Sequence, residues 1–375
     1  MQIKSHLANI ALSIFALVCA FAVGEVVVRL LYKEQTPLYP RYHTDYHYGP
    51  YTIRGIRPNA EFWHTSLDGS WKFVTNSKGF RNTKEFSYDK PAGMLRVLSL
   101  GDSHTQGYEV RQEFTFSAVL ERFLNQNNTK AEVINTGVSG FSTAEELVLL
   151  DNEAVKYHPD VVVLGFFDND FEDNLKAALF SLDPQGNLHE QKYEHIPGVR
   201  IQNFIYGIPG VMWLSENSYF YSLLFNSIWN YFKFKLGETA VKNTDASSRS
   251  LPSGVDSAIS TATTRSDYQI ALTAALIGRM HQFCQQRGIR LIIVDIPARL
   301  RAYRYTSSLL PALIRRLDTV RIEYIDSQSL LHDFDGLAEI HVAHGHNHIS
   351  EFTHILIGME IGRRILSLGT AAVNR

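Results

Sequence analysis

From residue 95 onward, short apolar runs alternate with helical patterns along the chain. The runs are continuously apolar, which is typical of strands covered on both faces of a sheet. This alternation predicts an α/β fold, a three-layer sandwich of about five parallel strands with helices on both sides. The predicted strands are residues 95–100, 132–135, 160–165, 290–295 and 321–326, and the predicted helices are residues 113–125, 143–157, 268–287, 307–317 and 351–366.

The first apolar segment is long enough to cross a bilayer. Residues 7–24 contain no charged side chain, and Lys4 precedes them. We expect an uncleaved single-pass membrane anchor and juxtamembrane segment at 1–33, with the rest of the chain on the extracytoplasmic, periplasmic side. Glu25 and Arg29 continue the helical pattern at i,i+4 spacing, which favours retention. The alternatives are a signal peptide cleaved after residues 20–22 and a buried helix of a soluble protein.

The remaining chain divides by composition into an extension and a domain with an insertion. Residues 34–93 are rich in Tyr, Pro, Gly and His and predict an irregular, β-containing extension. Residues 94–375 form the predicted α/β domain, interrupted around 171–266. Within that insertion, the aromatic residues of 201–235 could line a cleft, pack near a membrane or form a small helical core. Residues 242–267 predict an exposed loop.

Composition narrows the class of protein only slightly. The chain of 375 residues is 45% hydrophobic and 20% charged, as expected for a folded protein with a substantial core. Its net charge of -2 and the absence of a long basic block argue against nucleic acid as a partner. Cys19 lies in the apolar N-terminal segment and Cys284 far from it, so we expect no structural disulfide between them.

Candidate chemistry begins directly after the first predicted strand, at Gly101-Asp102-Ser103. In open α/β sheets, active sites lie at the carboxyl ends of the strands. The glycine allows a sharp turn that would present the Ser103 hydroxyl at the mouth of a pocket. The alternative interpretation is that Asp102 or Ser103 only caps the following helix.

Three further segments follow later strands or open the last helix. Gly140 lies after the second predicted strand, Asn169 and Asp170 after the third, and His348 before the final helix. Acyl transfer needs a nucleophile, a base to accept its proton and donors for the developing oxyanion. Ser103, His348, the Gly140 amide and the Asn169 side chain would supply these parts.

In this order, the four segments resemble the sequence blocks of the SGNH/GDSL hydrolase superfamily, which carry Ser, Gly, Asn and His. Gly101-Asp102-Ser103 matches the nucleophile block, Gly140 the second block and Asn169-Asp170 the third. The resemblance covers roughly residues 94–366. It implies an SGNH-hydrolase or flavodoxin-like domain with ester hydrolase chemistry.

The fourth block departs from the family pattern, which has Asp two or three residues before the histidine. His348 and the residues after it fit the frame, with Thr353 replacing a glycine, but Gly345 and His346 occupy the positions of the acid. A second frame makes His346 the base with His344 in the acid position, and it fits the following residues less well. We therefore prefer His348.

The missing acid leaves open which group orients His348. A backbone carbonyl or a remote carboxylate can partly hold the imidazole tautomer and stabilise the imidazolium. Asp326 and Asp335 are candidates for a displaced acid, but neither follows the family pattern, so the catalytic acid stays unassigned. The histidines of 341–354, with nearby aspartates, are suitable zinc ligands. Their spacing is not a recognised ligand motif, and we expect neither a metal nor a cofactor.

The resemblance implies a serine esterase or acyltransferase that acts on a small O-acyl ester, with an acetyl ester of an envelope glycan as the expected substrate. The alternative is a non-catalytic envelope protein that binds glycan or assists assembly on a decayed esterase scaffold. The expected partners are the ester substrate and, through the N-terminal helix, the lipid bilayer. The expected site comprises Ser103 and His348 as catalytic residues, Ser103, Gly140 and Asn169 as oxyanion donors, and Asp102 and Asp170 as supporting residues.

Overall fold

The computed structural model describes residues 2–244, 265–301, 304–345 and 347–373, so His346 and most of the loop predicted at 242–267 lie outside the described residues. The strands are β1 (His43–Tyr48), β2 (Tyr51–Ile56), β3 (Glu61–Ser66), β4 (Gly69–Val74), β5 (Leu95–Gly101), β6 (Ala131–Asn135), β7 (Val161–Phe166), β8 (Phe180–Leu182), β9 (Leu188–Glu190), β10 (Glu194–His195), β11 (Arg290–Asp295), β12 (Ala298–Arg301), β13 (Arg304–Thr306) and β14 (Glu323–Ile325). The helices are α1 (Gln2–Leu31), α2 (Ser103–Gln106), α3 (Phe116–Gln126), α4 (Thr143–Asn152), α5 (Asp170–Ala177), α6 (Val199–Tyr206), α7 (Val211–Asn217), α8 (Tyr219–Thr244), α9 (Asp267–Gln286), α10 (Pro311–Thr319), α11 (Ser327–Leu331) and α12 (Glu351–Val373).

Five strands form one parallel sheet, in the order β14-β11-β7-β5-β6. β5 pairs with β6 on one side and with β7 on the other, so the direction of strand addition reverses at β5. In open parallel sheets, this reversal opens a crevice at the carboxyl ends of the strands. Ser103 follows β5 directly and therefore lies at the crevice. The sheet confirms the predicted α/β fold.

Helices cover both faces of the sheet. On one face α3 packs against α12, and on the other α4 packs against α9. In the first of these layers, Val97, Val163 and Ile292 of the sheet join one apolar cluster with Leu120 and Ile361 of the helices, all fully buried. Removing this apolar surface from water is the main stabilising term for such a core. The packed core supports the strand ends that carry the candidate site.

The predicted boundaries hold best in the sheet and least well near the C-terminal strand. β11 has the bounds predicted for the fourth strand, whereas the fifth shortens from 321–326 to β14. Arg321 has a φ of 56°, a left-handed conformation that cannot continue an extended strand. The helix predicted from residue 307 begins at Pro311, because the Ser308 amide donates to the buried carboxylate of Asp295 instead.

Two strands of the predicted extension belong with the large sheet in one compact unit, which comprises Tyr42–Glu61, Trp71–Phe204 and Ser257–Arg375. β1 and β2 pair antiparallel, and the short strand β10 adds in parallel to β2. The extension therefore contains β-strands. The domain boundaries at 33 and 93, and the insertion at 171–266, stay predictions.

The second compact unit comprises Met1–Arg41, Phe62–Ser70 and Ile205–Asp256. Its helix α1 is apolar over His6–Leu31, with a mean hydropathy of 2.4, and is long enough to cross a membrane. Glu25 accepts hydrogen bonds from the Ser218 hydroxyl and the Tyr219 amide, at the start of α8. A helix N-terminus favours such a carboxylate, because its first amides have no partner within the helix.

Candidate active site

The nucleophile candidate opens a four-residue helix, α2. Asp102 precedes it as the N-cap, and its carboxylate accepts a hydrogen bond from the His104 amide at 2.8 Å. Asp102 therefore caps the helix, as the alternative interpretation predicts. Ser103 is the first residue of that helix and lies half-buried at the crevice. The cap orients the turn that presents the Ser103 hydroxyl.

Two glycines let α2 lie close to the sheet. Gly101 and Gly165 are directly paired neighbours at the carboxyl ends of β5 and β7. A Cβ atom on either residue would overlap the hydroxyl of Thr105, which donates to the Leu100 carbonyl at 3.2 Å. Gly101 also has a φ of 151°, which favours glycine. Close packing of the backbone thus holds the nucleophile turn.

His348 meets Ser103 through one hydrogen bond. Its Nε2 lies 2.8 Å from the Ser103 Oγ, and its Nδ1 lies 3.2 Å from the carbonyl oxygen of Gly345. A carbonyl can only accept, so Nδ1 carries the proton and Nε2 presents a lone pair to the Ser103 hydroxyl. This is the tautomer that a general base needs, and a backbone carbonyl fixes it.

A tight turn before α12 carries the base candidate. The His348 amide donates to the Gly345 carbonyl at 2.7 Å, and the His348 carbonyl accepts from the Val342 amide at 2.8 Å. Asn347 has a φ of 68°, in the left-handed region that Asn tolerates better than most residues. The turn therefore uses the Gly345 carbonyl twice, once for the His348 backbone and once for its ring.

Two rings flank the imidazole of His348. The Tyr108 ring lies 4.4 Å and the His104 ring 4.9 Å from it, measured between centroids. His104 also contacts Phe167 at 4.2 Å and accepts a hydrogen bond from the Ile349 amide. Burial lowers the pKa of His104 well below its usual range, and the neighbouring His348 adds to the shift. His104 is therefore a neutral acceptor that connects the nucleophile helix to the base turn.

Glu109 lies one residue beyond Tyr108 and is 5% exposed. A Cβ atom on Gly345 would overlap its Oε2, so this carboxylate lies directly against Gly345. The backbone of Glu109 is left-handed, with a φ of 57°. The buried guanidinium of Arg81 donates to the carbonyls of Gly107 and Val110 on either side, the latter at 2.6 Å. These bonds hold the turn that places Glu109.

The loop after β6 is held by the β1–β2 hairpin. Gly140 has a φ of 80°, and its carbonyl accepts a hydrogen bond from the Arg54 guanidinium of β2. His43 of β1 lies with its Nε2 3.1 Å from the Ser139 carbonyl oxygen. Because these bonds engage the carbonyls, they orient the peptide planes on which the predicted Gly140 amide donor depends.

The loop after β7 places the third predicted donor. The Asn169 side-chain amide donates to Asp173 at 3.0 Å, and the predicted oxyanion role would use its second N–H. Asp170 follows as the first residue of α5, and its carboxylate accepts from the Phe167 amide at 3.1 Å. Since β6, β5 and β7 are neighbours, the loops bearing Gly140, Ser103 and Asn169 lie side by side.

Buried carboxylates lie behind the nucleophile turn. Burial raises the pKa of Asp102 to about 7. Burial also raises the pKa of Asp170 and of Glu146 well above the usual range, and the mutual proximity of these acids adds to both shifts. For Glu145, burial acts to raise the pKa, but the hydrogen bond with His195 at 2.8 Å, the positive charge of Arg54 and the bond from the Ser142 amide together lower it. Asp102, Glu146 and Asp170, behind the nucleophile turn, therefore favour their protonated forms.

The two candidates for a displaced acid are engaged elsewhere. Asp326 caps α11 and accepts from the Ser329 hydroxyl at 2.6 Å. Asp335 forms an ion pair with Arg304. Both carboxylates therefore have partners other than His348.

The histidine cluster likewise has structural partners. His341 lies with its Nε2 2.9 Å from the Pro297 carbonyl, and His354 accepts from the Phe116 amide at 3.1 Å. Within the described residues, no group of three or more His, Cys, Asp or Glu side chains is arranged to hold a metal ion. The alternative base His346 lies outside the described residues.

Sequence reasoning missed four residues around this pair: His104, Tyr108, Glu109 and Arg54. The first three follow Ser103 so closely that their position in the chain was an available signal, but it does not reveal which ring or carboxylate faces His348. Arg54 carries no local signal at all. Its role depends on the hairpin packing over a loop far away in the sequence.

The chain matches one family model and is similar to several solved structures. Residues 97–204 match the family model of the GDSL-like lipase/acylhydrolases. No curated protein matches the chain in sequence. Among solved structures, the chain is similar to a lipase/acylhydrolase from Enterococcus faecalis, with 17% identity, 72% of this chain and 95% of that chain covered and a TM-score of 0.40. It is also similar to an acetylxylan esterase from Geobacillus stearothermophilus, with 10% identity, 72% and 94% covered and a TM-score of 0.38.

The segment matched by the family model begins in β5 and contains Ser103, Gly140 and Asn169. His348 lies beyond it in sequence but meets Ser103 in the structure. The α/β domain of this chain is therefore similar to the GDSL-like lipases and acylhydrolases, as the resemblance to the SGNH/GDSL hydrolase superfamily predicts.

Proposed function

We propose that this chain is a serine esterase or acyltransferase that acts on a small O-acyl ester. The observation that carries the proposal is the 2.8 Å hydrogen bond between Ser103 Oγ and His348 Nε2, on an imidazole whose Nδ1 proton is held by the Gly345 carbonyl. A hydroxyl beside a correctly protonated base is an activated nucleophile. The family match to acylhydrolases supports the same chemistry.

The proposed reaction has two acyl-transfer steps. Ser103 Oγ attacks the ester carbonyl carbon while its proton passes to His348 Nε2. The tetrahedral intermediate collapses, and His348 returns that proton to the leaving alcohol, which leaves an acyl-Ser103 ester. Water or a second alcohol then attacks the acyl carbon, and His348 accepts its proton and returns it to Ser103 Oγ. Water gives hydrolysis, and an alcohol gives acyl transfer.

The negative charge of each tetrahedral intermediate needs hydrogen-bond donors. We assign the Ser103 amide, the Gly140 amide and the Asn169 side chain to this role, because their loops follow three adjacent strands around one crevice. Fixed donors aimed at a developing oxyanion typically contribute the largest share of catalysis in such sites. Asp102 and Asp170 support the turns that carry Ser103 and Asn169.

The substrate class we propose is an acetylated glycan of the cell envelope. The rings of Tyr108 and Phe167 lie beside the two histidines and would limit the size of the acyl group. Helix α1 would anchor the chain in a bilayer, with the α/β domain on the extracytoplasmic side, where envelope glycans are found.

The test is covalent labelling of the full chain, purified in detergent, with a fluorophosphonate probe, together with hydrolysis of aryl esters from acetyl to octanoyl. We expect labelling of Ser103 and a preference for acetyl. Ser103→Ala should abolish labelling, and His348→Ala should lower the rate by about 10²- to 10⁴-fold, the usual contribution of a general base. His332→Ala, at an exposed histidine outside the site, is the matched control.

A folded chain that neither labels nor hydrolyses aryl acetates would overturn the esterase proposal. That result would favour the non-catalytic alternative, glycan binding or assembly on an esterase scaffold. Labelling without ester hydrolysis, followed by product formation when a sugar alcohol is added, would assign the activity to transfer.

A further inference from the structure

The base of the Ser103–His348 pair has no acidic residue at the sequence position where one is expected, and Gly345 stands there instead. When His348 accepts the Ser103 proton, its ring becomes a cation in a partly buried site. A nearby carboxylate stabilises such an imidazolium, whereas a carbonyl supplies only a dipole. The Gly345 carbonyl therefore fixes the His348 tautomer but supplies no negative charge to stabilise the imidazolium.

The space that a side chain at position 345 would occupy is filled by another residue. A Cβ on Gly345 would overlap the Oε2 of Glu109, and the next nearest atoms to that position belong to the Val342 side chain. Glu109 is 5% exposed, and the peptide that it faces carries the acceptor of the His348 Nδ1–H. The carboxylate thus reaches the base turn from the nucleophile side of the site.

Contacts on both sides of the turn hold the backbone of Glu109 in this position. Its left-handed φ of 57° is unfavourable for a residue with a Cβ, typically by about 1 kcal/mol or more. Arg81, fully desolvated, uses its guanidinium to bind the carbonyls of Gly107 and Val110, which flank the turn. Tyr108, the residue before Glu109, packs its ring on His348. One turn therefore supplies both a ring and a carboxylate to the base.

We propose that Glu109 is the positioning carboxylate of this site, contributed by the nucleophile segment in place of an acid in the base turn. Through its contact at Gly345, it orients the peptide that holds His348 Nδ1–H and stabilises the imidazolium. This inference rests on the proposed function, because it concerns the base of that reaction.

The other titratable neighbours of His348 among the described residues do not supply this charge. His104 and Tyr108 lie against its ring, and His354 interacts with it electrostatically. Burial lowers the pKa of His354 to about 3 and that of His341, near His104, to about 4, so both are neutral near pH 7.

The first experiment replaces Glu109→Gln in the full chain. We expect the rate of fluorophosphonate labelling and kcat for aryl acetate to fall by about 10- to 100-fold with little change in KM, since the interaction strengthens when the ring is charged. The acid limb of the pH–rate profile should move to lower pH, because loss of a carboxylate makes the imidazole easier to deprotonate. Glu113→Gln, an exposed carboxylate in the same segment, is the matched control.

The second experiment exchanges the two positions. Gly345→Asp alone should lower activity, because its side chain needs the space of Glu109. Glu109→Ala with Gly345→Asp should recover at least about tenfold over Glu109→Ala alone, since the carboxylate returns from the base turn. This gain is specific to a carboxylate beside His348, and Gly345→Asn in the same Glu109→Ala background should not produce it.

A third measurement separates this inference from the proposed function. In Ser103→Ala protein, which cannot react, NMR follows the pH at which the His348 ring takes up its proton. Glu109→Gln should lower that pH midpoint whether or not the chain is an esterase. An unchanged midpoint, or an unchanged pH–rate profile in folded Glu109→Gln, would overturn the role of Glu109. Absence of labelling in the natural chain would overturn only the proposed function.

Discussion

Ser103 and His348 share one hydrogen bond, yet the protein holds them by different means. On the nucleophile side, Gly101 and Gly165 bring backbone and helix into contact, and a capping carboxylate completes the turn. On the base side, a short turn closed by the Gly345 carbonyl carries the ring. The proposed nucleophile thus depends on the geometry of the sheet, and the proposed base depends on a short turn and on side chains that meet it only after folding.

This difference predicts which substitutions alter the free energy of unfolding and which alter the rate of catalysis. Changes on the nucleophile side must displace backbone or buried charge, so we expect them to alter the free energy of unfolding. Changes on the base side meet side chains and not backbone, so we expect them to alter catalysis first. Substitutions at Asp102, at two glycines and at Arg54 test that division.

Asp102→Asn should produce the largest change in stability. The folded-state pKa of Asp102, about 7, lies above its ordinary value of 3.8, so the folded chain binds a proton that the unfolded chain has lost between these pH values. The free energy of unfolding should therefore fall as pH rises from about 4 to about 7. Asn cannot ionise and keeps the acceptor for the His104 amide. At pH 8 it should be more stable by up to about 4 kcal/mol.

Urea unfolding measured from pH 4 to pH 8 tests this expectation. The exposed Asp333→Asn is the control and should follow the natural chain across the range. The Asp102→Asn curve should be flatter, with a residual slope from Glu146 and Asp170. Two parallel curves would show that burial of the Asp102 carboxylate does not destabilise the fold. That result would contradict the electrostatic strain expected on the nucleophile side.

Two glycine substitutions compare the sides directly. A Cβ on Gly137 would overlap the backbone amide of Gln106 in α2, whereas a Cβ on Gly345 would meet the side chains of Glu109 and Val342. Gly137→Ala should cost about 1–3 kcal/mol, the usual range for overpacking against groups that cannot move freely. Gly345→Ala should cost less than Gly137→Ala, because its nearest contacts are side chains and not backbone, and should lower the labelling rate more than the stability.

Gly278→Ala in α9, where an added Cβ has open space, provides the control and should be neutral or slightly stabilising. Thermal unfolding and labelling rates would be measured on all three variants. Equal losses of stability for Gly137→Ala and Gly345→Ala would remove the distinction between the two sides.

The same distinction explains what could be predicted from the sequence. The strands and their order of appearance follow from apolar runs, and Ser103, Gly140 and Asn169 follow from their positions at strand ends. These are local patterns, and the sheet brings their carboxyl ends together without further information. The motif frame predicts His348 as the base, but it does not predict the partner of the His348 Nδ1, because a carbonyl acceptor has no sequence signature.

Glu109 and Arg54 were missed for a related physical reason. Each acts on a loop that is distant in sequence, Glu109 at Gly345 and Arg54 at Gly140. A buried carboxylate in a left-handed turn costs free energy locally, so no propensity or periodic pattern favours it. The helix boundary at Pro311 was misplaced similarly, because a tertiary bond to Asp295 replaced the first predicted turn.

Arg54→Gln should have the smallest effect and tests whether the division holds within the nucleophile side. The guanidinium binds the Gly140 carbonyl from a separate hairpin, so it adds orientation to a loop that Gly137 already holds against α2. We expect kcat for aryl acetate to fall about tenfold, because a misaligned oxyanion donor loses part of its transition-state stabilisation. The free energy of unfolding should fall by less than about 1.5–3 kcal/mol, the net value of a hydrogen bond from a charged group, because Gln keeps a side-chain N–H donor. Lys72→Gln, a half-exposed cation paired with Glu61, is the control for loss of charge. A large loss of stability with unchanged kcat would mean that the hairpin supports the domain and not the oxyanion loop, and the amide of Gly140 would then owe its position to the sheet alone.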